Sequence, residues 1–485
     1  MNPRRIPCVL PLLLTSLVAC SERPPAEGES VVEKRPNIVL MLSDDHGHDT
    51  LGVAGHPWIE TPRLDQLASE GMRFTHAFVT TSLCAPSRAS IMTGQYVRAH
   101  GLIENREDFD SSLTTFPALL SEAGYDTAYV GKWHLDYGDD RVPRGFSYRA
   151  TYHQGHYFGC RFQVGGSEVR WERPEGWVDD VTTDYAIEFL RRERDRPFLL
   201  CVGFKGPHAP RQAPPRRAQD YADRTFSPPS NADALPPYPR RFEPDVLAES
   251  GVDVPNEDVP ENWTDSLGDV ERPAYVMDAE ELQSEYVGYH QVLTALDDDV
   301  GRILSEIDAL GLGDDTLVVY TSDNGYNFGA HGDIGKRSAY EESIRVPMIV
   351  RYPGRVPAGS VRDELALSVD LAPTFLDLAG VAPPASMHGR SLRPLLEGPA
   401  DGAAPWRDAF VYEFHMPPLR LFAVRTESWK LVTYPGYPSW TQLFDLQLDP
   451  GETRNLAADP AQGDRVERLR VRLAELEEPL GPREP

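Results

Sequence analysis

Residues 37–45 read Asn37-Ile38-Val39-Leu40-Met41-Leu42-Ser43-Asp44-Asp45: an unbroken apolar run, then two adjacent carboxylates. A strand without polar alternation fits the centre of a parallel sheet, where both faces are covered. Phe198–Phe204 (FLLCVGF), Thr316–Ser322 (TLVVYTS) and Val346–Arg351 (VPMIVR) repeat the pattern. Helical patterns stand between these runs. Thr61 and Pro62 read as an N-cap and a first-turn proline, Leu64, Leu67 and Ala68 share a face, and Gly71 is placed to end that helix. Glu281–Leu310 is a longer helical pattern, and Val369–Ala379 before Gly380 a shorter one. The alternation predicts an α/β fold with a large mostly parallel or mixed sheet between helices. Asp44 and Asp45 then stand at a carboxyl end of the sheet, where open α/β sheets bind ligands.

The rest of the chain sets bounds. It has 485 residues, 40% hydrophobic and 25% charged, as in a globular protein. A formal net charge of −27 argues against a general nucleic-acid binder. It does not exclude a small anionic substrate, since a few local cations dominate a pocket. No apolar run reaches the roughly 18 residues of a membrane span. Arg4 and Arg5 before Val9–Leu17 read as an export signal. Leu17-Val18-Ala19-Cys20 resembles a bacterial lipobox, which predicts a signal over residues 1–19, a lipidated Cys20 and a polar linker over 20–35. Ser21 after the cysteine favours the outer membrane by the same resemblance. A lipoprotein of the bacterial cell envelope is expected, touching membrane only through its anchor and processed by the lipoprotein machinery. Residues 36–398 form the expected main domain. Within it, 210–279 is an aperiodic insertion too long for an ordinary loop. Residues 399–485, with short strands at Leu421–Arg425 and Trp429–Tyr434 and a helical Gln462–Leu476, predict a small α+β subdomain.

Ser322-Asp323-Asn324-Gly325 closes another buried strand. With Asp44 and Asp45 it offers oxygen ligands at two strand ends, suited to Ca²⁺ or Mg²⁺; no Cys/His cluster suggests zinc. Then comes Cys84-Ala85-Pro86-Ser87-Arg88-Ala89-Ser90-Ile91-Met92-Thr93-Gly94. This stretch resembles the signature of the sulfatases, sulfuric ester hydrolases of the alkaline-phosphatase-like superfamily. Three further blocks stand in family order: Gly131-Lys132-Trp133-His134, Lys205-Gly206-Pro207-His208-Ala209-Pro210, and His331-Gly332-Asp333-Ile334-Gly335-Lys336 with Tyr340-Glu341-Glu342-Ser343.

The resemblance implies that a formylglycine-generating enzyme converts Cys84 to an aldehyde, whose hydrate is the nucleophile. It implies that Asp44, Asp45, Asp323, Asn324 and residue 84 ligate a divalent cation, Ca²⁺ by preference and Mg²⁺ as the alternative. Lys132 and Lys336 would bind sulfate oxygens, and Arg88 would stabilise ionised residue 84. His208, helped by Lys336, is assigned to protonating the leaving alcohol, and His134 to the base that completes turnover.

Phe78–Leu83, the Lys-Gly-Pro-His block and Asp180–Leu190 resemble N-acetylglucosamine-6-sulfatase and related carbohydrate sulfatases, implying a sulfated saccharide substrate. The chain departs from that branch where Asp323-Asn324 replaces Asp-Gln and Gly329-Ala330-His331-Gly332 replaces Gly-Glu-His-Gly. Tyr238, Arg240, Arg241 and Trp263 of the insertion are candidates for a sugar subsite. Two rival functions remain: a phosphonate monoester or phosphodiester hydrolase of the superfamily, and a non-catalytic glycan-binding lipoprotein. Cys160 and Cys201 could pair in an oxidising compartment or stay free; the sequence leaves both open.

Overall fold

The computed structural model describes residues 34–135, 144–153, 155–237, 279–398, 405–416 and 419–483. In chain order its strands are β1 (Asn37–Ser43), β2 (Met72–Phe74), β3 (Ala77–Phe78), β4 (Asp126–Lys132), β5 (Tyr148–Tyr152), β6 (Phe162–Gly165), β7 (Val169–Glu172) and β8 (Phe198–Gly203). They continue as β9 (Thr316–Ser322), β10 (Met348–Arg351), β11 (Ser360–Arg362), β12 (Ala366–Leu367), β13 (Ala409–Phe414), β14 (Leu421–Thr426), β15 (Trp429–Thr433) and β16 (Gln442–Asp445). Ten of them make one mixed sheet in the order β11-β2-β10-β9-β1-β8-β4-β5-β6-β7. Its middle, β9-β1-β8-β4-β5, is wholly parallel. The flanking pairs β10–β9 and β5–β6 are antiparallel.

The apolar runs are explained by two cores. Ile38, Leu40 and Leu42 of β1 face one; Val39 and Met41 face the other. The first core takes in the helices Phe116–Glu122 and Leu371–Leu378 and the four-stranded antiparallel sheet β13-β14-β15-β16 with the helix Gly463–Glu477. The second is closed by α1 (Pro62–Glu70), by Val178–Leu190 and by the long helix Ala279–Ala309. The expected sheet between helices and the small C-terminal sheet are both present, and Arg35–Pro485 form one compact unit.

Differences from the sequence reading have local causes. β10 begins at Met348, two residues late, because Pro347 has no N–H for the ladder; Val346 N donates to Ala77 O instead. Thr61 occupies the N-cap position but its hydroxyl donates to Asp65 Oδ1 and accepts from Gly52 N, so it caps no helix N–H. Gly71 ends α1 for reasons of space: an added Cβ would lie 2.3 Å from Val350 O. Cys160 and Cys201 are both free and buried. The start of the insertion, residues 210–237, packs on the body through Arg216–Asp180 and Arg217–Asp298 ion pairs. Residues 1–33, over which the signal and nearly all of the linker were expected, lie outside the described residues, as do Tyr238, Arg240, Arg241 and Trp263. No helix among the described residues is long and apolar enough to cross a membrane.

Candidate active site

Four adjacent parallel strands, β9, β1, β8 and β4, deliver their carboxyl ends to one place. In-register pairing of Ser43 with Ser322 sets Asp44-Asp45 beside Asp323-Asn324, and Asp323 N donates to Ser43 O at 3.1 Å. The turn after β8 carries His208, and its Gly206 O accepts from Asp44 N at 3.0 Å. β4 ends in Lys132, with His134 just beyond. Gly131 makes this possible: its φ is +93°, and a Cβ there would stand 2.0 Å from Gly203 O. The helix α2 (Cys84–Thr93) starts at Cys84 and carries Arg88 one turn later on the same face. Lys336 comes from the loop after β9. Asp45 (φ +70°) and His134 (φ +57°) hold left-handed backbone, a cost that functional sites concentrate.

All ten predicted residues are buried, except that His208 keeps partial exposure. Lys336 Nζ donates to Cys84 Sγ at 2.9 Å and pairs with Asp45. Lys132 pairs with Asp44, whose Oδ1 is 3.3 Å from Cys84 Sγ. Arg88 Nε donates to Asp323 Oδ2 at 2.8 Å and its Nη1 to Lys132 O at 2.7 Å. His208 Nε2 lies 3.9 Å from Asp45 Oδ2, while its Nδ1 is 2.5 Å from Ala209 O. His134 packs edge-on against His153, ring centroids 5.1 Å apart.

Electrostatics separates these groups. Burial opposes ionisation of Asp44, but Lys132, His208, Lys336 and Arg88 together hold its carboxyl well below the usual range. Asp45 is lowered in the same way against burial, chiefly by Lys336. Burial and Asp44 push Asp323 up to about 7. Lys336 is held protonated against burial by Asp45, Cys84 and Asp44. Burial takes His208 down to about 3, and burial with Lys132 and His153 lowers His134, so both imidazoles are neutral at rest. Burial and Asp44 drive the Cys84 thiol up to about 12. A protonated, buried thiol is a poor nucleophile. Its sulfur stands where an oxygen of the formylglycine hydrate would be.

The donor set fits a hard divalent cation. Ligand atoms of Asp44, Asp45, Cys84 and Asp323 all lie within 4.8 Å of one another. Asn324 Nδ2 donates to Asp45 Oδ1 at 2.6 Å, yet its Oδ1 is buried without a hydrogen-bond partner, as a lone pair reserved for an ion would be.

Two contributors escaped the sequence reading. Tyr289, in the long helix, accepts from Gly47 N at 3.0 Å and donates to Asp45 O at 2.9 Å, which pins the Asp45 turn. Asp179 accepts from Lys205 N and Gly206 N at 2.7 and 2.9 Å. Tyr289 looked like one more helix core position. Asp179 did leave a signal, an acidic pair opening a helix just before a site strand.

A parallel sheet with this nucleophile-bearing helix and acidic strand ends defines a class, and comparison with known proteins agrees. The Sulfatase family model matches residues 36–381, and the model described as N-sulphoglucosamine sulphohydrolase, C-terminal, matches 329–479. The chain belongs to the sulfatase family and is a sulfatase; the family implies a formylglycine made from cysteine and a divalent metal. It is 33% identical to an N-acetylglucosamine-6-O-sulfatase of Bacteroides thetaiotaomicron, over 94% of this chain and 87% of that protein. A solved structure described as a complex with its substrate, D-glucosamine-2-N,6-O-disulfate, superposes with a TM-score of 0.79 at 30% identity, covering 92% of this chain and 98% of that one. The phosphonate monoester hydrolase of Agrobacterium radiobacter matches with a TM-score of 0.71 at 25% identity, covering 92% and 96%.

Proposed function

We propose that the chain removes a sulfate ester from a sulfated saccharide, with an amino sugar carrying a 6-O-sulfate as the first candidate. The observation that carries this is the likeness, over 92% of the chain, to the structure solved with a glucosamine disulfate. Asp44, Asp45, Asp323, Asn324 and residue 84 would hold the cation, Ca²⁺ in preference to Mg²⁺ because Ca²⁺ takes several protein oxygens at once whereas Mg²⁺ usually keeps several waters. A cation held there would supply Lewis-acid polarisation of a sulfate oxygen, and the hydrated aldehyde at residue 84 would be the nucleophile.

The chain's own residues account for the rest. Three carboxylates (Asp44, Asp45, Asp323) face three cations (Lys132, Lys336, Arg88). With all three carboxylates ionised, a bound divalent ion would bring the site to two positive charges, enough to balance a singly charged sulfate ester and one ionised hydroxyl. Lys132 and Lys336 are fixed in place before substrate arrives, so they stabilise developing charge without reorganising. Arg88, held by Asp323 and the Lys132 carbonyl, keeps positive charge behind residue 84. Lys336 is held protonated at rest by Asp45, Cys84 and Asp44. Neutral His208 keeps its Nε2 free of the Nδ1 contact to Ala209 and takes up a proton as negative substrate raises its basicity; it then protonates the leaving alcohol. His134, neutral and buried, is the base for the closing step.

The test is sulfate release from a panel of mono-sulfated glucosamines and galactosamines, by ion chromatography. Preferential release from a 6-O-sulfated amino sugar supports the reading; faster turnover of an aryl phosphonate than of the matched aryl sulfate replaces it with the phosphonate-hydrolase reading that the Agrobacterium structure motivates. Capture of sulfated glycan without release would leave a binding protein. We also propose export and lipidation at Cys20, which the mass of the N-terminal peptide from the native host tests.

A further inference from the structure

We propose that Asp179 is a positioning residue that sets the His208 turn against Asp44. The inference rests on the reading of His208 as the group that protonates the leaving alcohol.

Asp179 is the second residue of the helix Val178–Leu190 and is wholly buried. Its two carboxylate oxygens take consecutive peptide N–H groups, Lys205 N on Oδ1 and Gly206 N on Oδ2. Those peptides open the turn that ends at His208, whose own N donates to Lys205 O at 3.0 Å. Gly206 O in turn accepts from Asp44 N. Tyr157 secures the far side of the turn, donating to His208 O at 2.7 Å. One side chain therefore fixes the two consecutive peptide planes at the start of the turn, just before the Gly206 carbonyl that meets Asp44 and the His208 imidazole beyond it. The fit is close: a Cβ on Gly206 would lie 3.0 Å from Asp179 Oδ2 and 3.0 Å from Val292 Cγ1. Only a carboxylate presents two acceptors in that spacing. Asparagine offers one oxygen and turns an NH₂ against the other N–H, so the turn must shift.

Asp179→Asn is read as kcat/KM on the sugar sulfate and on 4-nitrophenyl sulfate, whose phenolate leaves with little need of a proton. Misplacing the acid should cost on the order of 10²-fold on the sugar sulfate, as ångström-scale misplacements do. The aryl ester should lose less than about threefold, because acid catalysis contributes little to a good leaving group. His208→Ala, the control, should show the same selectivity. Gly206→Ala crowds the same carboxylate from the other side and gives the same ratio should Asp179→Asn fail to fold. Equal losses on both esters in these variants, with His208→Ala selective, overturn the positioning role. An unselective His208→Ala instead overturns the reading of His208 itself.

Discussion

Lys430→Met removes a buried ammonium that ties the C-terminal sheet to the loop carrying Lys336. Lys430, fully buried on β15, pairs with Glu341 Oε1 at 2.9 Å and Glu452 Oε1 at 2.8 Å, and donates to Ala339 O at 2.7 Å. All three of its protons are used. Methionine leaves two buried carboxylates facing each other, with Arg425 and Arg345 as the remaining cations on Glu341, 3.2 and 3.8 Å away. Removing one partner of a buried pair costs about 3–5 kcal/mol. With an unfolding entropy of about 2.1 cal/mol/K per residue over some 450 residues, this lowers Tm by about 3–5 °C. The loss has a pH signature. Burial and the two neighbouring glutamates already push Glu452 up to about 7 against Lys430. Without Lys430 its folded pKa rises further above the unfolded value, so the folded variant gains a proton and is stabilised as pH falls. The deficit against wild type should therefore be smaller at pH 5.5 than at pH 8 in calorimetry, and Lys430→Met/Glu452→Gln should recover about half of it. A Tm within about 1 °C of wild type at both pH values would refute the network's importance.

Lys336→Ala and Lys132→Ala should each lower kcat by about 10²–10³-fold on a saccharide sulfate, with the fold intact by circular dichroism. Chelation should abolish sulfate release and lower Tm, and Ca²⁺ at about 100 times its Kd should restore about 2.7 kcal/mol of stability. His331 is opposed by burial but raised by Glu342, 3.6 Å away, so its folded pKa exceeds the unfolded one. Its contribution is full below the unfolded pKa of about 6.5 and fades as pH rises through the folded one. The stability gap between wild type and His331→Gln should thus shrink from pH 6 to pH 9; a constant gap would remove the charge from the explanation. Gly131→Ala should yield little soluble protein, since its Cβ would strike Gly203 O and Thr182.

The central strands were legible because β1 and β9 are buried on both faces, so their apolar runs are unbroken; the stretch from Cys84 was legible as a motif, and the helix it opens was not read from it. Asp44, Asp45, Asp323 and Asn324 were legible because they close buried strands, and the remaining site residues because they stand in short blocks that resemble the sulfatases. What depended on distant contacts was not. Thr61 looked like a cap, yet Gly52 and Asp65 claim its hydroxyl. Gly71 looked like a helix stop, and its necessity comes from Val350, far along the chain. Asn231 gave no sign that its side chain would reach Glu342 and the Gly451 carbonyl together. Tyr289 is invisible in sequence as a support of Asp45, because a tyrosine on the buried face of a helix needs no function to explain it.

The most direct test joins the chemistry of residue 84 to turnover. The tryptic peptide Phe74–Arg88 from protein made in its native host should be about 18 Da lighter than the unmodified sequence requires, the difference between thiol and aldehyde at the residue that must be activated. The same preparation should release sulfate from a 6-O-sulfated amino sugar in the presence of Ca²⁺. An unshifted peptide in a preparation that still releases sulfate would contradict the account of the nucleophile, and a shifted peptide that desulfates no saccharide would contradict the proposed substrate.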